Sequence, residues 1–149
     1  MNVYIRRGDL KDIDWMVAQL KEFSRYYGSK RALFGDEAYA RNGLVETIKK
    51  HLVLVAEKDG APVGFIAGLV SPHLYNPEIR ILCELFWWVM PGHRGGRASP
   101  MLLDAFVEWG KEHADWITFG TTEKTPIKES SLIRRGFHLQ ETSYLMEVA

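Results

Sequence analysis

Val89-Met90-Pro91-Gly92-His93-Arg94-Gly95-Gly96-Arg97-Ala98-Ser99-Pro100 joins a strand-like apolar run to a helix-like one. A bend this rich in glycine and arginine can aim backbone N–H groups and a helix N-terminus at a phosphate. Upstream, Ile79 to Val89 reads as a long, strongly apolar strand. Downstream, Ser99 is placed to cap a helix and Pro100 to take its first position, where no backbone donor is needed. Leu102, Ala105, Phe106 and Trp109 then share one helical face. A phosphate-bearing ligand is the leading reading of this unit. The alternative is a surface turn whose glycines merely permit tight geometry.

Working outward, Val3 to Arg6 reads as a first strand. A helix follows from Asp9, with Ile13, Met16, Val17, Leu20 and Phe23 at helical spacing and Gly28 as its stop. Ser29 to Gly35 reads as a loop, and Asp36 to Lys50 as a second helix that tolerates Gly43. Leu52 to Glu57 and Val63 to Val70 are strands joined by the hairpin chemistry of Lys58-Asp59-Gly60. Ser71 to Glu78 is a loop. Trp116 to Gly120 is a strand, Pro126 to Arg135 a short helix, and Phe137 to Val148 one or two closing strands. The order predicts an α/β (α+β) domain over residues 1–149, with a mixed, mostly antiparallel sheet and helices on both faces.

Composition narrows the partners. The chain has 149 residues and a formal net charge of zero, so no bulk attraction to nucleic acid or an acidic membrane is implied. A nucleic-acid contact through His93, Arg94 and Arg97 is disfavoured by that neutrality and by the lack of a basic helix. The opening Met1 to Arg7 carries no signal-peptide core, and no apolar run is long enough to span a bilayer. One cysteine, Cys83, forms no internal disulfide and suits a reducing, cytoplasmic setting. The five histidines have neither helical partners nor a cysteine at zinc spacing, so no metal site is expected.

Taken together, these residues resemble the GNAT superfamily of acetyl-coenzyme A-dependent N-acetyltransferases. The element order matches over essentially the whole chain. The family's diphosphate signature is Arg/Gln-x-x-Gly-x-Gly/Ala, and the matching residues are Arg94-Gly95-Gly96-Arg97-Ala98-Ser99. Arg97 and Ser99 stand where the family has glycines. Arg134-Arg135-Gly136-Phe137 is similar to a late turn of the family. The resemblance implies that Arg94 to Ser99 hold the diphosphate of acetyl-coenzyme A, and that backbone groups of Trp88 and Val89 hold its pantetheine arm. It also implies an amine acceptor, carried by a small molecule, a peptide or a protein. C-terminal strands in such folds can pair between subunits, which leaves a homodimer open.

The catalytic reading starts from Glu84, the only charge in Ile81 to Val89. A carboxylate on a strand covered on both sides is costly unless it is paired or lines a cavity. The resemblance implies a general base here, about one residue out of the family's usual spacing, which a β-bulge would absorb. The alternative for Glu84 is a structural ion pair with an arginine. Cys83 and Glu84 point to opposite faces of a regular strand, and Cys83 reads as a small core residue. The family's acid tyrosine is replaced by Leu132, which leaves Ser131, Tyr144 or water to protonate the thiolate. That gap keeps a second reading alive, an acyl-coenzyme A-binding regulatory module with little turnover. Phe86, Trp87, Trp88, Trp109, Trp116 and Phe119 read as packing. Arg25, Tyr26, Tyr27, Arg31 and Phe34 are candidates for an acceptor wall.

Overall fold

The computed structural model describes residues 2–28 and 34–148. Its strands are β1 (Val3–Arg7), β2 (Leu52–Lys58), β3 (Ala61–Pro72), β4 (Arg80–Val89) and β5 (Trp116–Thr118). Its helices are α1 (Ile13–Tyr27), α2 (Glu37–Lys50), α3 (Ala98–His113) and α4 (Glu129–Arg134). The strands form one sheet in the order β1-β2-β3-β4-β5. All neighbours are antiparallel except β4 and β5, which run parallel through Ile81–Trp116, Leu82–Ile117 and Cys83–Thr118. The β2–β3 hairpin turns on Asp59 and Gly60, both at positive φ, the geometry whose twist suits a two-residue loop. Among the described residues no helix is long and apolar enough to cross a membrane.

Side chains alternate along the strands and divide the interior into two layers. Leu52, Leu54, Ile66, Leu82 and Val89 pack with Ala98, Leu102 and Phe106 of α3 on one face. Val53, Val55, Phe65, Ala67 and Trp88 pack with Ile13, Met16 and Val17 of α1 and Leu44 of α2 on the other. Helices on both faces agree with the sequence expectation.

Some boundaries differ from it. α3 begins at Ala98, so Arg97 stands at the cap position and Ser99 lies inside the first turn without capping it. Trp116 is 44% exposed rather than packed inside. Among the described residues 137–148 are in no strand. The apolar alternation there meets no neighbouring strand, and Tyr144, Leu145 and Met146 are exposed. A strand needs a ladder partner to satisfy its backbone, and alternation alone supplies none.

The entry to α1 is fastened by one acidic residue. Asp12 is buried and takes both guanidinium nitrogens of Arg6, at 2.7 and 2.8 Å, plus the Asp9 N–H. Arg6 also donates to Glu57 on β2 (2.8 Å). The Arg6 guanidinium holds the Asp12 carboxyl below its ordinary range. A depressed carboxyl adds stability above its unfolded pKa and withdraws it as pH falls through the folded one. Asp12→Asn is expected to cost about 1–2 kcal/mol at pH 7, since solvent at the Arg6 rim screens the pair. Its urea midpoint should converge on that of the parent below pH 3.8. A constant gap across that range would show that the charge is irrelevant.

Candidate active site

β4 is paired on both sides only over its first few residues. After Cys83 and Thr118 the parallel ladder stops, and among the described residues the edge of β4 from Glu84 to Val89 has no strand beside it. On the β3 side the register slips between Ala67 and Gly68, where Gly68 faces Glu84 and Ala67 faces Phe86. Leu85 is therefore the extra residue of a β-bulge. This is the bulge that the spacing of Glu84 called for, and it changes which side chains share a face. Leu82 before the bulge packs towards α3, whereas Phe86 and Trp88 after it pack towards α1. Glu84 lies opposite Gly68, where a Cβ would come within 2.7 Å of both Leu82 and Phe106 of α3.

The backbone beyond the bulge points in alternating directions. Met90 N–H donates to the Val63 carbonyl oxygen (2.9 Å), so this parity turns into β3. Trp88, two residues earlier, has the same parity and turns its backbone groups to β3 as well. The groups directed to the open edge belong to Trp87 and Val89. Of the two residues singled out in the sequence for backbone contacts, Val89 directs its groups to the open edge and Trp88 directs them to β3, while Trp87 shares the open edge with Val89. Trp87 carries a further signal: its indole N–H is buried without a hydrogen-bond partner among the described residues. Its ring lies against Phe119 at 5.4 Å. The sequence marked Trp87 only as packing, because strand parity is invisible until the register is known.

The bend after β4 opens with a 3-10 turn, Pro91–His93. Gly95 has φ +80°, a conformation that a side chain would strain. Arg97 has φ −84° and ψ −20°, so the arginine replacing a family glycine sits without backbone strain. The first helical bond of α3 runs from Met101 N–H to the Arg97 carbonyl oxygen (3.1 Å). The N–H groups of Ala98 and Ser99 precede it, and among the described residues no side chain caps them. Arg97 is exposed and forms no ion pair among the described residues. Unpaired donors, the positive end of a 16-residue helix and a free guanidinium converge here, the donor set a diphosphate needs. Arg94 is placed differently. Its Nε donates to the Val89 carbonyl oxygen (2.8 Å), and its guanidinium lies over the rings of Trp88 (4.5 Å) and Tyr26 (4.8 Å).

At the other end of the open edge lies a cavity of about 1150 Å³ lined by Cys83, Glu84, β5, α4 and residues 136–143. Cys83 is thus half-buried in a cavity wall, not packed in the core. Glu84 has no cationic partner among the described residues, which removes the structural ion pair. Burial pushes its carboxyl up to about 7, against the Gly120 N–H, which favours the charged form. Leu132 lines the same cavity. The Ser131 hydroxyl already accepts from Arg135, and Tyr144 is 91% exposed. Of the aromatic wall, Phe34 packs on the α1 side, and Tyr26 and Tyr27 meet the 122–125 loop. Arg25 is exposed, and Arg31 lies outside the described residues. Among the described residues no group of three or more His, Cys, Asp or Glu is placed to hold a metal.

A family model described as acetyltransferase (GNAT) family matches residues 16–125. Several solved structures share the fold. A predicted acetyltransferase with acetyl-CoA from Clostridium acetobutylicum is 19% identical, with TM-score 0.74, over 99% of this chain and 96% of that one. Ribosomal-protein-alanine N-acetyltransferase from Brucella melitensis biovar Abortus 2308 is 19% identical, with TM-score 0.73, over 99% and 100%. A putative acetyl transferase from Pyrococcus furiosus is 16% identical, with TM-score 0.76, over 99% and 100%. No curated protein sequence matches the chain significantly. The family match spans the bulged strand, the phosphate-type bend and the helix that follows it, and the chain therefore belongs to the GNAT acetyltransferase family, with acetyl-coenzyme A as co-substrate.

Proposed function

We propose that the chain transfers the acetyl group of acetyl-coenzyme A to a primary amine by direct attack, with Glu84 as general base. The observation that carries this is the state of Glu84. It is half-buried in the cavity wall, free of any cation among the described residues, and held at about 7, at the point where β4 and β5 part. A base poised near neutral pH combines the right protonation state with a useful driving force. The amine nitrogen attacks the thioester carbon of bound acetyl-coenzyme A; the C–S bond breaks as the resulting oxygen anion collapses, and the coenzyme A thiolate leaves with the second nitrogen proton, passed through water. Glu84 takes the proton of the incoming ammonium, directly or through water. The Val89 and Trp87 N–H groups on the open edge are the donors available to the pantetheine arm and to the developing oxygen anion. Gly95 to Ser99, with the Arg97 side chain, wrap the diphosphate.

The cavity beside Glu84 suits a cationic acceptor. Its other acidic linings are Asp115, Glu129 and Glu141, joined by His138 and, among the described residues, by no lysine or arginine. A small molecule, a peptide or a protein side chain all remain acceptors of that chemistry. Release of free thiol from acetyl-coenzyme A across an amine panel tests the reading. Thiol release that depends on an amine supports it. Tight coenzyme A binding without release for any amine would favour the regulatory module, which the apolar Leu132 in the acid position also favours.

The bend makes its own prediction. Arg97→Glu should weaken coenzyme A binding about tenfold or more at low salt, with the gap narrowing as salt rises. Calorimetry at two ionic strengths checks it, and an unchanged affinity would remove Arg97 from the diphosphate site.

A further inference from the structure

We propose that Arg94 is a positioning residue, which clamps the end of β4 to the C-terminal end of α1, while Arg97 alone pairs with phosphate. The inference rests on the coenzyme A reading of the bend and assigns separate tasks to its two arginines. Arg94 folds back over its own strand. Its Nε donates to Val89 O (2.8 Å), and its planar head lies over Trp88 at 4.5 Å and Tyr26 at 4.8 Å. A guanidinium held against two ring faces is fixed by shape as much as by charge. Trp88 is itself immobilised, with Nε1 donating to the buried Gln19 of α1 (2.9 Å).

Tyr26 carries the link onward. Lys124 Nζ donates to the Tyr26 and Tyr27 carbonyl oxygens at the end of α1, both at 3.3 Å. The Tyr26 hydroxyl donates back to the Lys124 carbonyl oxygen (3.4 Å). A continuous set of contacts thus runs from the diphosphate bend through Arg94 and Tyr26 to the 122–125 loop. That loop follows Gly120, whose N–H holds the Glu84 carboxylate. The clamp has two consequences. One lone pair of the Val89 carbonyl oxygen is taken by Arg94, so on the open edge this residue offers a ligand its N–H and one remaining acceptor site. The bend and the loop beyond Gly120 are also set in one geometry, so a change at Arg94 is felt by the acceptor more than by coenzyme A.

Lysine at this position keeps the charge and removes both the Nε bond and the plane. Arg94→Lys is expected to leave the coenzyme A Kd within about twofold, with the salt dependence of the parent. Arg97→Gln should flatten that salt dependence. With any amine the parent acetylates, Arg94→Lys should raise the acceptor KM several-fold. Tyr26→Leu should reproduce this, and the double variant should be no worse than either single one. A double-mutant cycle on urea midpoints should show the same coupling between Arg94 and Tyr26 whether or not an amine is found. Additive midpoints, or an Arg94→Gln variant whose coenzyme A affinity falls with a flattened salt slope, would overturn the proposal. Failure of the parent to bind coenzyme A at all would instead sink the reading of the bend, and the stability cycle would still decide the clamp.

Discussion

Glu84→Gln should lower kcat/KM by about 10²- to 10⁴-fold, the usual range for removing a general base, and leave coenzyme A affinity nearly unchanged. The amide keeps the size of the side chain and can still accept from Gly120 N–H, so the cavity wall is preserved. The pH profile sharpens the test. In the parent, kcat/KM should climb with pH and level off at about 7, because the carboxylate form is the active one. The variant should lose that limb. Stability runs the other way. Burial raises the folded pKa from 4.5 to about 7, so the folded chain retains a proton that the unfolded chain releases in this window. The parent should be fully stable with respect to this group below pH 4.5 and lose on the order of 3 kcal/mol as pH rises to 7. Glu84→Gln should be spared that decline. A variant with less activity and more stability at pH 8 is what a base held against its preference predicts. A Gln variant of parental activity would exclude Glu84 from the chemistry.

Phe106→Ala should cost about 3–5 kcal/mol in a urea melt, the range for deleting a fully enclosed aromatic ring. Phe106 is wholly buried in the layer between α3 and the sheet. Its ring edge occupies the space that a Cβ on Gly68 would take, 2.7 Å away. Gly68 is the β3 residue opposite Glu84, at the bulge. The glycine thus makes room for the ring, and the ring supports the strand pair that carries the carboxylate. Alanine leaves a void that the sheet fills only by moving β3 and β4. Loss of activity should therefore accompany loss of stability even well below the melt. A cost under 1 kcal/mol would mean that the layer is loosely packed and that α3 does not brace the site.

Much of this was legible in the residues because it depends on local rules. Apolar spacing in Ile13 to Phe23 sets α1, and Asp59-Gly60 sets the hairpin through the backbone freedom its turn requires. The bend was legible because glycine, arginine and a following helix are chemically unusual together. The less legible parts all involve pairing. Trp116 reads as core by composition, yet it lies on an edge strand of three residues and is exposed. Residues 137–148 read as strand by alternation, yet among the described residues no neighbour completes a ladder there. Arg94 and Arg97 look alike in sequence, but one is held over two rings and the other is exposed.

The order of amino acids by itself determined the family, the alternation of helix and strand, and the presence of one carboxylate in an apolar strand. These follow from periodicity and from local backbone preference, which act within a few residues. Only tertiary structure decided that Leu85 bulges, that Trp87 and not Trp88 turns its backbone outward, and that Glu84 meets Gly120 instead of an arginine. Each of those depends on which distant segment lies alongside. A shift of one residue in register reverses every side chain on a strand, and no local preference fixes that register.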